Sequence, residues 1–220
     1  MNKTSSQVAI FDLDYTLLEG DSEALWSKFL LQKGLVDIEF VERINDYYHD
    51  YEWGQLNFRK YEEFLLLPLT LYPLEMLIQI RREYLEGIRM SIRPMMQELV
   101  NWHHGQGHTL LLVTATNSFI AEPIASILNF PNLICTQVKL DGNSLTNRID
   151  AIPAYREGKV QLLEQWLADH SLTLEGSWAY SDSHNDLPLL NRVEHPVAVL
   201  PDYSLRIFAE EHGWKIITSL

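Results

Sequence analysis

The apolar run HTLLLV at residues 108–113 ends abruptly in the polar sequence TATNS. A short run without polar alternation is typical of a parallel strand buried on both faces, because a solvent-facing side would require a polar residue at every second position. Comparable runs occur at residues 8–11, 133–138, 177–180, 197–200 and 214–217. Helical patterns separate most of these runs, so the sequence predicts an α/β fold with a doubly wound, Rossmann-like parallel sheet.

Residues 21–87 interrupt this alternation with an all-helical pattern. Apolar residues recur there near helical spacing, Gly34 and Gly87 mark helix ends, and Pro73 marks a helix start. A chain of 220 residues is long for one minimal domain and short for two full ones. We therefore predict a core domain formed by residues 1–20 and 88–220, with a small helical domain at 21–87 inserted after the first strand.

The composition is strongly acidic, with 30 acidic and 17 basic residues and a formal net charge of -13. Nucleic acid and anionic membranes attract basic surfaces, so we expect neither as a partner. The sequence shows no signal peptide and no apolar run long enough to span a bilayer, which favours a cytoplasmic protein. The one cysteine, Cys135, lies in the apolar stretch NLICTQV, which indicates a buried thiol and leaves no internal disulfide.

Three polar clusters follow predicted strands: DLDYT at 12–16, TATN at 114–117 and SDSHND at 181–186. Ligands of doubly wound sheets bind at the carboxyl ends of the strands, so we expect these clusters to meet. Asp12 and Asp14 repel each other and need a counter-charge, for which Mg²⁺ is suited because it prefers hard oxygen ligands. Solvated aspartates in a surface turn are the alternative. An EF-hand loop is excluded, because Leu17 stands where that loop requires glycine.

Four further residues allow both a structural and a functional interpretation. Asp182 and Asp186 lie in a strand-to-helix turn, where aspartate is also a common helix N-cap. Lys159, in the string REGKV, is by itself as consistent with a solvated helix face as with a site, and its flanking residues do not form a P-loop. His184 lies inside the acidic cluster, and substrate contact and simple solvation are equally consistent with its position.

Together these strings follow the order of a known pattern. The strings DLDYT at 12–16, LLVTAT at 111–116, Lys159 and YSDSHND at 180–186 resemble the four motifs of the haloacid dehalogenase-like (HAD) hydrolase superfamily. The resemblance covers essentially the whole chain. It is closest to subfamily IB, the branch of phosphoserine phosphatases and bacterial histidinol-phosphatases. The helical insertion resembles the type C1 cap domain of that family.

The resemblance implies a phosphomonoesterase whose roles carry over by position. Asp12 would be the nucleophile that forms an aspartyl-phosphate, and Asp14 the general acid and then base. Thr114 would hydrogen-bond the phosphoryl group, and Lys159 would stabilise Asp12 and the phosphate charge. A cation next to the nucleophile is also required by electrostatics, because a carboxylate cannot approach an anionic phosphate unaided.

The resemblance also implies a Mg²⁺ cofactor and a substrate site. The metal residues would be Asp12, Asp14 through its main-chain carbonyl, Asp182, and Asp186 as a ligand or as support. Ala115 and Asn185 would contact the substrate.

Asp21 stands where phosphoserine phosphatases carry an acid that binds the substrate ammonium, although it could equally cap the following helix. Leu65 stands where those enzymes carry a carboxylate-binding arginine, and Arg59 could replace that arginine only with different geometry. An amino-alcohol phosphate such as histidinol phosphate fits this combination, because it has an amino group and no carboxylate. The alternatives are a phosphoserine phosphatase, a phosphotransferase or a non-catalytic binding protein. We expect a small-molecule phosphate ester as partner and a monomer or homodimer.

Overall fold

A computed structural model describes residues 7–219 of the chain. Residues 1–6 and 220, which the sequence assigns to the core domain, lie outside the described residues. The strands are β1 (Val8–Phe11), β2 (Thr109–Asn117), β3 (Leu133–Thr136), β4 (Val138–Asp141), β5 (Ser144–Ile149), β6 (Trp178–Ser181), β7 (His195–Val199) and β8 (Lys215–Ile217). Six of them form a parallel sheet in the order β3-β2-β1-β6-β7-β8, while β4 and β5 form a separate antiparallel hairpin.

The helices divide into a block after β1 and a set that alternates with the later strands. The helical block consists of α1 (Ser22–Gln32), α2 (Ile38–Glu52), α3 (Phe58–Leu66) and α4 (Leu74–Met90). The remaining helices are α5 (Pro94–Gly105), α6 (Ser118–Ile127), α7 (Glu157–His170), α8 (Leu187–Leu190) and α9 (Tyr203–Glu211). Within the described residues, this order confirms the predicted doubly wound α/β fold.

The central strands are buried on both faces, as their unbroken apolar runs predicted. Ala9 and Phe11 of β1 pack into one hydrophobic cluster, whereas Val8 and Ile10 pack into a second cluster on the opposite face. All four side chains are fully buried. Successive strand residues point to opposite faces, so two layers of helices must cover this sheet.

Two short connectors join the helical block to the sheet, and they run side by side. Leu18 forms an isolated antiparallel bridge with Ile92. Backbone hydrogen bonds join the Glu19 nitrogen to the Ser91 oxygen and the Arg93 nitrogen to the Leu17 oxygen, the second at 2.9 Å. The chain therefore enters and leaves the helical block at one place.

Two element boundaries differ from the sequence expectation by three or more residues. Strand β2 does not end at Val113 but continues to Asn117, so the polar run TATN belongs to the strand. The strand can continue because Asn117 still pairs with Thr136 of β3 after a register shift. Helix α4 passes Gly87 and ends at Met90, because the buried Ile88 extends its packed face by one turn.

Within residues 7–219, no single helix has the length and hydropathy needed to cross a membrane. The segments Phe58–Leu71 and Leu74–Met90 meet that test only as a pair, and the pair is bent by 114°. Cys135 is buried in β3, as expected, and burial raises the pKa of its thiol to about 12.

Candidate active site

One cavity lies at the carboxyl ends of the central strands, where the strand order reverses between β1 and β6. The chain continues β1 by one further bond, since the Asp12 nitrogen donates to the Tyr180 oxygen at 2.9 Å. Asp12, Asp14, Thr114, Lys159 and Asp182 all line this cavity. The predicted convergence of the polar clusters is thus present in the structure, at the place where doubly wound sheets bind ligands.

Lys159 is the cation that faces Asp12. Its Nζ lies 2.7 Å from Oδ1 of Asp12 and 2.7 Å from Oδ1 of Asp186, and the lysine is only 3% exposed. Burial alone would lower the pKa of Lys159, but Asp12 and Asp186 raise it, so the ammonium stays charged. Burial raises the pKa of Asp12 to about 7, and Lys159 opposes that rise. The lysine is therefore part of the site and does not belong to a solvated helix face.

Asp186 is committed to this ion pair. Its Oδ2 also accepts a hydrogen bond from the Ser181 hydroxyl at 2.7 Å, and the residue is 3% exposed. Asp186 does not line the cavity. Its contacts hold the Lys159 ammonium against Asp12.

Asp14 is held by two donors from different parts of the fold. Oδ1 accepts the Ser22 backbone N–H at 2.7 Å, and Oδ2 accepts the Thr116 hydroxyl at 2.6 Å. Burial raises the pKa of Asp14 to about 7, and the neighbouring Asp21 adds to that rise. A carboxyl with a pKa near neutrality can both give and take a proton, as general acid–base catalysis requires.

Asp182 supplies a second carboxylate opposite Asp12. Its Oδ1 accepts the Thr16 hydroxyl at 3.0 Å, and burial followed by Asp12 and Asp186 raises its pKa well above the usual range. Within residues 7–219, no three His, Cys, Asp or Glu side chains converge as a ready-made metal cluster. Mg²⁺ does not require one, because it is usually bound by one or two carboxylates and keeps several waters. Asp12, Asp182 and Asp186 together carry more negative charge than Lys159 balances, so the oxygen donors of Asp12 and Asp182 fit such a cation.

Thr114 and Ala115 line the same cavity from strand β2. The Thr114 hydroxyl donates to Oγ1 of Thr116 at 3.0 Å and accepts the Thr116 backbone N–H at 3.1 Å. This pairing places the two hydroxyls next to each other in the cavity that Asp12 also lines, with the Thr116 hydroxyl bonded to Asp14. The sequence analysis did not single out Thr116, although its position two residues after Thr114 on one strand face was a usable signal.

Asp21 is placed for both of the roles considered for it, helix capping and ligand binding. It is the N-cap of α1, since its Oδ1 accepts the Ala24 backbone N–H at 2.7 Å, and it also lines the cavity. Burial and then Glu23 raise its pKa to about 6. The backbone N–H groups of Ala24 and Glu23 both bond to this carboxylate, which has about four acceptor sites, so acceptor capacity remains for a ligand.

Leu65 and Arg59, the residues compared with a carboxylate clamp, both lie away from the cavity lining. Leu65 is fully buried in the hydrophobic core. The Arg59 guanidinium donates to the backbone oxygens of Asp150 and Ala151, at 3.1 and 3.0 Å. Among the described residues, no arginine lines the cavity.

Asn185 and His184 also lie outside the cavity lining. Oδ1 of Asn185 accepts hydrogen bonds from Arg156 at 2.8 Å and Tyr155 at 3.1 Å. Its amide nitrogen donates to the Tyr51 backbone oxygen at 3.1 Å, which links the core loop to helix α2. His184 is paired with Asp202, 2.8 Å away. The structure thus gives both residues intramolecular partners.

The remaining wall of the cavity comes mainly from the helical block and is aromatic and acidic. The lining side chains that the sequence analysis did not name are Tyr15, Glu23, Ala24, Ile44, Tyr47, Tyr48, Tyr51, Leu56, Phe58, Tyr61 and Thr116. Tyr15 has a φ of 54°, which is uncommon for a bulky residue and marks the sharp turn after Asp14. Helical periodicity alone could not show which of these aromatic residues face a ligand.

Residues 9–191 match the haloacid dehalogenase-like hydrolase family. The chain belongs to this family. It is 41% identical over 217 residues to the histidinol-phosphatase of Neisseria meningitidis serogroup C (strain 8013), an alignment that covers 96% of this chain and 97% of the relative. The family predicted from the four motifs is therefore confirmed, and so is the predicted enzyme class, a HAD-like phosphomonoesterase.

Two solved structures share the fold of this chain. A crystal structure of a Bordetella pertussis Tohama I protein of unknown function has a TM-score of 0.90 and 37% sequence identity to this chain. The alignment covers 97% of this chain and 99% of the Bordetella chain. A substrate-bound phosphoserine phosphatase has a TM-score of 0.76 over 99% of this chain and 95% of its own. Its identity is only 15%, so that similarity supports the fold alone.

Proposed function

We propose that this HAD-like enzyme is a Mg²⁺-dependent phosphate monoester hydrolase that acts through an aspartyl-phosphate on Asp12. The observation that carries the proposal is the arrangement around Asp12 in one cavity. Lys159 lies 2.7 Å from its carboxylate, and Asp14 is fixed beside it with a pKa near 7. Phosphoryl transfer depends mostly on positioning and charge neutralisation, which this arrangement supplies.

The reaction would proceed in two balanced steps. A carboxylate oxygen of Asp12 forms a bond to phosphorus as the bond to the substrate alkoxide breaks, and protonated Asp14 gives its proton to that leaving oxygen. Asp14, now ionised, takes a proton from a water molecule that attacks phosphorus. The Asp12–phosphorus bond breaks, phosphate leaves and both aspartates return to their initial states. Lys159 stabilises the phosphoryl oxygens throughout, and the Thr114 hydroxyl would join it by rotating its O–H from Thr116 towards the phosphoryl group.

The Asp12 and Asp182 carboxylates, with the main-chain carbonyl of Asp14, would hold Mg²⁺. When bound, the ion would offset the charge of the phosphate and of these carboxylates. We assign Asp186 a positioning role, because its carboxylate is already bonded to Lys159 and Ser181. We also propose that residues 21–87 act as the cap domain, since they supply most of the cavity wall opposite the sheet.

The preferred substrate in this proposal is an amino-alcohol phosphate such as histidinol phosphate. Two observations support it: the 41% identity to a histidinol-phosphatase, and an acidic cavity without arginine among its described lining residues. A phosphoserine carboxylate would find no cationic partner there except Lys159, which already pairs with two carboxylates.

Phosphate release from a substrate panel with Mg²⁺ tests the proposal. The panel contains histidinol phosphate, phosphoserine, sugar phosphates and p-nitrophenyl phosphate, each with wild type and Asp12→Asn. We expect wild type to release phosphate and Asp12→Asn to be inactive while remaining folded by circular dichroism. Release by Asp12→Asn at the wild-type rate would exclude the aspartyl-phosphate mechanism, and preference for phosphoserine would exclude the proposed substrate class.

A further inference from the structure

Glu23 is a buried carboxylate in the cavity wall that the proposed chemistry does not use. It lies in the first turn of α1, is 5% exposed and lines the same cavity as Asp12. A charged side chain is costly to bury, so its position calls for a partner or a function.

Three donors fix the orientation of this carboxylate. Oε1 accepts the backbone N–H of Asn117 at 2.9 Å and its side-chain amide at 2.6 Å, and Oε2 accepts the Tyr61 hydroxyl at 2.8 Å. Glu62 forms a further side-chain hydrogen bond with Glu23, and because a carboxyl donates only when protonated, the two buried carboxyls share a proton. Asn117 and Tyr61 are neutral, so the remaining negative charge of the pair has no counter-ion among the groups bonded to Glu23.

The surroundings of Glu23 in the cavity are acidic and aromatic. Asp21 lies close enough for Glu23 to raise its pKa, and the one lysine among the described lining residues, Lys159, is bonded to Asp12. The rings of Tyr47 and Tyr61 meet edge to face, with centroids 5.5 Å apart, and both line the cavity. Tyrosine faces attract cations and flat rings, so this wall suits a group that is both cationic and planar.

We infer that Glu23 determines specificity by accepting a hydrogen bond from a cationic or N–H-bearing ring of the leaving group, while Asp21 receives its amino group. This inference rests on the proposed function and adds to it the residue that selects the ring. Asp21 and Glu23 would then each accept a hydrogen bond from a different group of the same substrate. A carboxylate-bearing leaving group is excluded by repulsion from the same two residues, which supplies selectivity against phosphoserine.

A matched pair of substrates isolates the contribution of the ring to substrate preference. Histidinol phosphate and phenylalaninol phosphate share the amino-alcohol phosphate and differ only in imidazole against phenyl. We expect wild type to prefer histidinol phosphate in kcat/KM by about tenfold or more, because hydrogen bonds to charged groups contribute about 1.5–3 kcal/mol. Equal kcat/KM values for the two substrates would overturn the inference.

Glu23→Gln tests the residue, and Glu62→Gln is its matched control. Glu62 is fully buried beside the same Asn117 amide and is hydrogen-bonded to Glu23, but it does not line the cavity, and a glutamine at this position can still donate to Glu23. We expect the preference for histidinol phosphate over phenylalaninol phosphate to fall about 10-fold to 100-fold in Glu23→Gln and to persist in Glu62→Gln. An unchanged ratio in Glu23→Gln, or an equal fall in Glu62→Gln, would assign Glu23 a structural role instead.

Two further measurements keep the result decisive. If Glu23→Gln does not fold, Tyr61→Phe removes one of the donors that orient Glu23 and should lower the same ratio about 2-fold to 10-fold; an unchanged ratio overturns the inference. Turnover of p-nitrophenyl phosphate by wild type separates the two proposals. Turnover without ring preference contradicts only the role of Glu23, whereas absence of all turnover with Mg²⁺ overturns the hydrolase as well.

Discussion

The hydroxyl of Thr116 donates a hydrogen bond of 2.6 Å to Asp14, across 102 positions of sequence. The contact joins the end of β2 to the turn after β1 and fixes one oxygen of a carboxyl whose pKa is near 7. The other oxygen is fixed by the backbone of Ser22, at the start of α1. The orientation of Asp14 therefore depends on the sheet and on the helical block together.

Thr116→Val should lower kcat by about 10-fold to 100-fold, because it removes a hydrogen bond to a charged group without changing the size of the side chain. The hydrogen bond from Thr116 stabilises the ionised form of Asp14. Its removal should therefore raise the pKa of Asp14 and move the acidic limb of the kcat profile to higher pH. Steady-state kinetics between pH 5 and 9 measure both effects.

Thr116→Ser is the control for this variant, because it keeps the hydroxyl. It should retain kcat within about threefold of wild type, since the bond to Asp14 can still form. Equal losses in the valine and serine variants would show that the methyl group of Thr116 matters and its hydroxyl does not.

Asp186→Asn should lower kcat and leave the Mg²⁺ concentration for half-maximal activity nearly unchanged. The reason is that Asp186 holds Lys159 at 2.7 Å and does not line the cavity. Titration of activity with Mg²⁺ measures this. A rise of more than about tenfold in the required Mg²⁺ would instead identify Asp186 as part of the metal site.

Leu65→Arg should lower the free energy of unfolding and should not create activity on phosphoserine. Leu65 is fully buried in the core, so the new guanidinium would be an unpaired buried charge that costs about 3–5 kcal/mol of unfolding free energy. Leu67→Arg is the matched control, because Leu67 is 53% exposed and its change should stay within about 0.5 kcal/mol. A stable Leu65→Arg variant active on phosphoserine would mean that this position faces the substrate.

Glu62→Gln should reduce the loss of stability as the pH rises. Burial raises the pKa of Glu62 well above 4.5, and that of Glu23 to about 7. The folded protein therefore holds protons that the unfolded chain releases, so their stabilising contribution is complete below about pH 4.5 and is lost as the pH rises through 7.

Urea unfolding at pH 5 and pH 8 measures this difference. Wild type should lose more unfolding free energy between the two pH values than Glu62→Gln, because a carboxyl whose pKa is raised by folding makes stability fall as the pH rises. The aspartates of the site are common to both proteins and cancel in the comparison. Parallel pH dependence in the two proteins would mean that Glu62 titrates normally.

The sequence predicts the parts of this molecule that depend on local pattern. Buried strands have unbroken apolar runs, and the carboxyl ends of parallel strands meet at one edge, so Asp12, Thr114 and Asp182 could be placed together in advance. The sequence could not show that β2 continues through Asn117, because buried polar residues can stay in a strand when distant groups satisfy them. Asn117 does so through Glu23, 94 positions away.

The cavity wall is harder to predict for the same reason. Glu23 and Tyr61 lie on different helices, and whether their side chains point into the cavity depends on how the helical block packs on the sheet. Asn185 has a contact that its motif does not signal. The motif suggested a ligand contact, and the structure shows that the side-chain amide donates to the Tyr51 backbone oxygen of α2, 134 positions away.

The pairing of Leu18 with Ile92 has an evolutionary consequence. Entry to and exit from the helical block lie side by side, so a segment of quite different length could close the same gap without altering the register of the sheet. Mutation could then replace the wall that reads the leaving group while the residues around Asp12 stay unchanged. Substrate choice and bond cleavage would be inherited as separable traits, provided that each new segment kept the contact of the Ser22 backbone with Asp14.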